Sequence, residues 1–197
     1  MIFYMMGKSA CGKDHIYRAV AEEPGIQGRL EPLVICTTRP MRLGEVNGWE
    51  YFFTDEKTLD DLRRRGKIIE ERCYQTVNGP WYYFTADDGR IDPVNRHYFG
   101  IGTLVSYKKL RDYFGKPYLV PLLIETDDGI RLERALKREK KQQVPQYQEM
   151  CRRFLADSED FSEEKIREAG IERRFENNGE LKDCVSEVAA FIRNMLK

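Results

Sequence analysis

Residues 1–16, MIFYMMGKSACGKDHI, constrain this chain more than any other stretch. Ile2 to Met6 is an uninterrupted apolar run, short enough to read as a buried strand. Beyond the next segment, Ile16, Ala19 and Val20 have helical spacing, and Pro24-Gly25 ends the helix. Between strand and helix lies G-x-x-x-x-G-K. In that setting successive backbone N–H groups and the helix N-terminus form an anion cradle. Gly7, Lys8, Ser9, Ala10, Cys11, Gly12, Lys13 and Asp14 are therefore expected to bind phosphate, with the Lys13 charge on the β- and γ-phosphates of a nucleotide. The eighth position ordinarily carries Ser or Thr, whose hydroxyl holds magnesium. Here it is Asp14, which can offer an oxygen to Mg2+ directly or through water, and so is the candidate metal ligand. The alternative is that Asp14 only caps the helix.

The remaining pattern alternates. PLVICTTR reads as a second strand and TLDDLRRRGK as a short helix with Leu59 and Leu62 inward and Gly66 as its stop. KIIEERCYQ and PWYYFT read as two strands joined by a turn at Asn78-Gly79. HYFGIG and PYLVPLLIET are further strands around a helix from about Leu104 to Phe114. GIRLERALKREKK and PQYQEMCRRFLADSEDF are charged helices, the second with Met150, Phe154 and Leu155 partly inward. In the last helix Val185, Val188, Ala189, Ile192 and Leu196 share a face. Strands alternating with helices predict an α/β fold, a P-loop NTPase-type parallel sheet with helices on both faces. A β-rich stretch from about Arg39 to Ile91 interrupts the alternation and reads as an insertion covering a site at the sheet's C-terminal edge.

Composition narrows the partners. The 33 acidic and 33 basic residues cancel, which gives no global attraction to nucleic acid. No apolar run is long enough for a membrane span, and the start lacks the features of a signal peptide. Five cysteines without C-x-x-C fit free thiols in a reducing cytoplasm. Cys11, at a helix N-terminus, is expected either to have thiolate character or to be an inert filler. The expected partners are small-molecule nucleotides, with no nucleic acid and no membrane, and the chain is read as a monomer or homodimer.

The second informative stretch is TTRPMRLGEVNGWEYFF, Thr37 to Phe53. Arg39 and Arg42, three apart, offer planar guanidinium forks to a second phosphate, and Tyr51 adds a hydroxyl. Glu70 and Glu71 are placed at the end of an apolar strand. A carboxylate there can accept the N1–H and 2-amino group of guanine together. The stretch fills every specified position of the signature T-T-R-x-x-R-x-G-E-x-[DN]-G-x-[DE]-Y-x-F, and on it the chain resembles the guanylate kinase family. KIIEE, YYFT, KREKK…CRRF and FEN continue the resemblance.

The resemblance implies a single domain, 1–197, in three parts: a core at about 1–36, 97–130 and 160–197, a GMP-binding insertion at about 37–96 and a helical lid at about 131–159. It implies transfer of the γ-phosphoryl of ATP to GMP or dGMP, giving ADP and GDP, with Mg2+. It implies that Arg39, Arg42, Tyr51 and Tyr83 hold the GMP phosphate, that Glu45 organises the arginines, and that Glu70 and Thr85 read guanine. Arg138 and Arg153 would clamp the transferring group beside Lys13 and Asp14, and Asn177 would lie near the ATP base. Three departures stand out: Ile35 and Cys36 where the family has serine before the double threonine, Gly100 and Gly102 where it has strand acids, and Asp14 in the loop. They suggest that the metal-organising carboxylate has moved into the loop. Two other readings remain open. One is a kinase of this fold with another acceptor, such as ribose 1,5-bisphosphate or a different nucleotide; the other is a non-catalytic binding module.

Overall fold

The computed structural model describes residues 1–76 and 79–197. The turn expected at Asn78-Gly79 lies partly outside the described residues, since Asn78 is not among them. The core is a five-stranded sheet. Strands β1 (Ile2–Met6), β2 (Glu31–Pro32), β7 (Tyr98–Gly102), β8 (Leu119–Glu125) and β9 (Arg174–Glu176) take the order β2-β7-β1-β8-β9. All of its pairings are parallel. β1 is central and buried at every position, which is why its sequence is a continuous apolar run rather than an alternating one.

Strand alternation sends the two sets of β1 side chains into two cores. Phe3 and Met5 pack with Ile16 and Val20 of α1 (Lys13–Ala21) and with Val185, Val188 and Ile192 of α7 (Leu181–Met195). Ile2, Tyr4 and Met6 pack with Leu104, Tyr107 and Leu110 of α3 (Leu104–Phe114), and with Ile166 of α6 (Glu163–Glu168). Thr103 starts α3: its side chain accepts the Ser106 N–H. The parallel sheet with helices on both faces is the expected fold class. The short elements α6 and β9 have no counterpart in the sequence reading.

A second sheet of four strands, in the order β4-β3-β6-β5, is built from β3 (Cys36–Thr37), β4 (Phe52–Phe53), β5 (Ile68–Thr76) and β6 (Gly79–Ala86). One face rests on α2 (Glu56–Arg64), where fully buried Leu59 meets Phe84 and Cys36. Burial of a leucine contributes about 1.5–3 kcal/mol, so this face anchors the sheet. Residues on the opposite face, Thr37, Glu70, Arg72, Tyr83 and Thr85, are polar and stand next to one another through the register Thr37↔Tyr83, Arg72↔Tyr83 and Glu70↔Thr85.

PLVICTTR is not one strand. Glu31–Pro32 pairs with β7 at the edge of the core sheet, and Cys36–Thr37 pairs with β4 and β6 in the second sheet. The chain changes sheets at Leu33 to Ile35, with Leu33 N–H still bonded to the Phe99 carbonyl and the Ile35 carbonyl already bonded to Phe52. Helices α4 (Asp128–Glu139) and α5 (Tyr147–Asp160) lie over the glycine-rich loop. No residue of α5 is fully buried; Met150 and Phe154 are half-buried, but Leu155 is 70% exposed, against the expectation that it points inward. A surface helix with so little core holds its place through polar contacts instead.

Candidate active site

The glycine-rich loop opens on the N-terminus of α1. Gly12 occupies the cap position at φ 91, a left-handed conformation suited to glycine, and no side chain caps the helix. The Lys13 N–H reaches the buried Cys11 sulfur, whereas among the described residues no acceptor of the chain takes the N–H groups of Gly12 or Asp14. These donors and the helix dipole are free for an anion. Among the described residues half-buried Lys13 makes no ion pair, and the exposed Asp14 side chain makes no hydrogen bond. Asp14 does not serve as the helix cap.

The underside of the loop is tied down. The Cys11 carbonyl accepts from Asn177 Nδ2 at 2.7 Å and from Thr126 Oγ1 at 3.2 Å. Asn177 comes so close that a Cβ on Gly12 would lie 2.5 Å from its Nδ2. Its Oδ1 is buried and unpartnered, and its backbone carbonyl accepts from Arg134. Gly7 is needed because a Cβ there would meet the Ile124 carbonyl oxygen at 2.5 Å and Cys11 Sγ at 2.8 Å. Cys11 is 1% exposed, and burial pushes its thiol up despite nearby Lys13. The thiolate expectation is therefore corrected, and Cys11 is a packed filler.

Lys8 lies 3.5 Å from Asp128. The Ser9 N–H donates to Asp157 of α5 at 2.7 Å, and the Ser9 carbonyl accepts from Arg131 Nε at 2.9 Å. Arg131 is fully buried, donates also to Asp128 and to Asp157, and stacks on Phe154 with its guanidinium 4.7 Å from the ring centre. This charged pin fastens α4 and α5 to the loop. Sequence reading missed it because neither Arg131 nor Asp157 belongs to a motif. Ala10 takes φ 63, an uncommon conformation for a non-glycine residue. Arg138 and Arg153 are exposed but line one cleft with Ser9, so the structure brings both to the loop.

On the polar face of the second sheet, Arg39 is 3% exposed and holds both oxygens of Glu45, at 3.0 and 2.7 Å. Glu45 also accepts the Arg42 N–H at 2.7 Å. Hydrogen bonds from Arg39 and from the Arg42 backbone hold the Glu45 carboxyl below its ordinary value, and Glu45 with Tyr83 pushes Arg39 up. Tyr51 and Tyr83 meet edge to face at 5.5 Å, and Arg39 lies 5.4 Å from the Tyr51 ring centre. Arg39, Glu45, Tyr51 and Tyr83 are thus one cluster. Arg42 is exposed beside it and joins through its backbone.

Glu70 and Glu71 lie near the start of β5 rather than at a strand end, and they face opposite ways. Glu71 pairs with Arg63 of α2. Glu70 is 2% exposed and is bonded to Thr85 at 3.2 Å, to Ser106 of α3 at 3.1 Å and twice to Arg72. The space over Gly100 is filled by Leu33 and Tyr4, and that over Gly102 by Tyr4. A Cβ at Gly100 would lie 2.8 Å from Leu33 Cδ2 and 2.9 Å from Tyr4 Cδ2, and one at Gly102 would lie 1.9 Å from the Tyr4 hydroxyl oxygen. No side chain fits at those positions while Leu33 and Tyr4 stay in place. Arg72, Ser106 and Tyr4 were missed from the sequence. The one available signal was that Arg72, two residues from Glu70, must share its face.

A parallel sheet whose first strand runs through an open glycine-rich loop into a helix N-terminus defines a P-loop phosphate-binding fold. Residues 2–82 match the guanylate kinase family. Over that region the chain is similar to the guanylate kinase of Symbiobacterium thermophilum, 39% identical over 83 residues, covering 42% of this chain and 36% of the relative. It is also similar to one from Rhodopseudomonas palustris, 34% identical, covering 41% of this chain and 37% of the relative. The chain thus matches about a third of the length of these curated relatives. The structure is similar to the crystal structure of guanylate kinase from Anaplasma phagocytophilum, with TM-score 0.61 and 16% identity, over 99% of this chain and 85% of that one. The sequence match is confined to residues 2–82, while the likeness of fold to that guanylate kinase extends over the whole chain. Among the described residues no helix is long and apolar enough to cross a membrane.

Proposed function

We propose that this chain is a nucleoside monophosphate kinase that transfers the γ-phosphoryl of ATP to GMP, giving ADP and GDP. The observation that carries the reading is the pairing of two anion sites of different construction. One is the loop with its free N–H groups and Lys13. The other is the Arg39–Glu45–Tyr51–Tyr83 cluster, in which a buried guanidinium is held in one orientation by a bidentate carboxylate. A donor triphosphate suits the first and an acceptor monophosphate the second. Phosphoryl transfer demands chiefly positioning and charge stabilisation, which such a pair supplies.

In this reading Lys13 neutralises charge on the β- and γ-phosphates. Arg138 and Arg153, in the cleft beside Ser9, close on the transferring group and exclude water. Residues 37–96 act as the acceptor-binding insertion and 131–159 as the lid. Asn177 and Thr126 keep the loop in shape from beneath.

Among the described residues no three carboxylate, histidine or cysteine side chains converge as a metal site. Mg2+ would enter with the nucleotide, for which one carboxylate plus phosphate oxygens suffice. Asp14, exposed at the loop's end, is the side chain that would hold it. When bound, Mg2+ would supply neutralisation of phosphate charge.

Coupled ADP release with ATP and a panel of GMP, dGMP, IMP, AMP and ribose phosphates tests the proposal. Turnover with GMP in wild type, lost by at least about 100-fold in Lys13→Ala with the fold intact, is expected. Turnover only with a ribose phosphate would move the assignment to a different acceptor. No turnover with any acceptor would leave a binding module.

A further inference from the structure

Glu70 is the residue through which a guanine base would be read, yet its oxygens are already engaged. Oε1 accepts from Thr85 at 3.2 Å and Arg72 Nη2 at 3.3 Å, and Oε2 from Ser106 at 3.1 Å and Arg72 Nε at 3.2 Å. An ionised carboxylate has about four lone-pair sites, so these partners use its capacity. The carboxylate side chain is 1% exposed, whereas that of Arg72 is 19% exposed. The group offered to a ligand is the arginine.

Arg72 has five N–H donors and no acceptor, and Glu70 takes two of them. Among the described residues no acceptor of the chain takes the other three, and Arg72 shares its face with Tyr83, its cross-strand neighbour, two residue pairs along from Glu70 and Thr85. A guanidinium in this position cannot pair with a base edge that donates. It matches the two acceptors, O6 and N7, on the edge of a 6-oxopurine, and meets an opposed N–H group on adenine.

We propose that Arg72 is the base-reading residue of the acceptor site, that Glu70 positions it, and that the site selects 6-oxopurine nucleotides without reading the 2-amino group. This rests on the reading of the second sheet's polar face as the acceptor site. It leads to a preference that direct reading by Glu70 would not give: GMP and IMP are accepted alike, and AMP is refused.

Calorimetric binding of GMP, IMP and AMP to the full chain, with a non-hydrolysable ATP analogue present, tests this without requiring transfer. GMP and IMP should bind within about threefold of each other, and AMP at least about tenfold more weakly. Arg72→Ala frees the Glu70 carboxylate, so the preference for GMP over IMP should rise by about tenfold or more. Arg72→Met, which keeps the apolar stem, should do the same. Wild-type binding that favours GMP over IMP by tenfold or more, AMP binding as tight as GMP, or no binding of any of the three would overturn the proposal. Equal binding of GMP and IMP without turnover would support it while overturning the kinase reading.

Discussion

Gly102→Ala offers a test of sign as well as size. Gly102 sits in β7 without a left-handed φ. At an open strand position of that kind, alanine is favoured over glycine by roughly 0.5–1 kcal/mol. Here the added Cβ would lie 1.9 Å from the Tyr4 hydroxyl oxygen, 2.8 Å from Cζ and 3.3 Å from Cε1. Tyr4 is 2% exposed in the core between β1 and α3, so its ring cannot swing into solvent. Overpacking of a core costs about 1–3 kcal/mol. With contacts this short the upper end applies, and the net effect is a loss of about 2–2.5 kcal/mol. For a chain of this size that lowers Tm by roughly 4–10 °C.

Urea denaturation of Gly102→Ala, Tyr4→Phe and the double variant measures the coupling. Tyr4→Phe deletes the atom at 1.9 Å but leaves Cζ at 2.8 Å, so it should relieve the cost only in part. Tyr4→Leu should relieve most of it. A Gly102→Ala protein as stable as wild type, or more stable, would refute the account of why no acid stands on this strand.

Other outcomes follow from the site. Asp14→Asn should weaken Mg2+-dependent turnover strongly, with Asp14→Ser a poor rescue; an unchanged Mg2+ requirement in Asp14→Asn would end the role given to Asp14. In alkylation followed by mass spectrometry, exposed Cys73 and Cys151 should react first and Cys11 slowly, at the same rate with and without ATP; ATP protection of a fast Cys11 would contradict its burial. The Glu45 carboxyl is depressed by Arg39, so the pair's contribution should be complete above the ordinary value of 4.5 and decline only as pH falls below it. Carboxyl NMR of Glu45 checks this, and a midpoint at or above 4.5 would contradict it.

What the sequence determined by itself is what local order encodes. The strand–loop–helix of residues 2–21 follows from an apolar run, two glycines and a helical repeat, each acting over a few residues. The α7 face follows from a regular period, and all five of its expected core residues are buried. The signature from Thr37 to Phe53 likewise gathered Arg39, Glu45 and Tyr51, which the structure joins in one cluster with Tyr83. The division of Glu31–Thr37 between two sheets was not legible, because an apolar run carries no mark of which neighbour each part will pair with. Nor was the burial of Cys11, which depends on packing from β8 and α7. Periodicity assigns a side chain to a face; it does not say what stands opposite. That Tyr4 fills the space above Gly102 and joins Leu33 above Gly100, and that Arg72 occupies Glu70, was decided only when β1, β5, β7 and α3 came together, because contacts between residues tens of positions apart exist only in the folded chain.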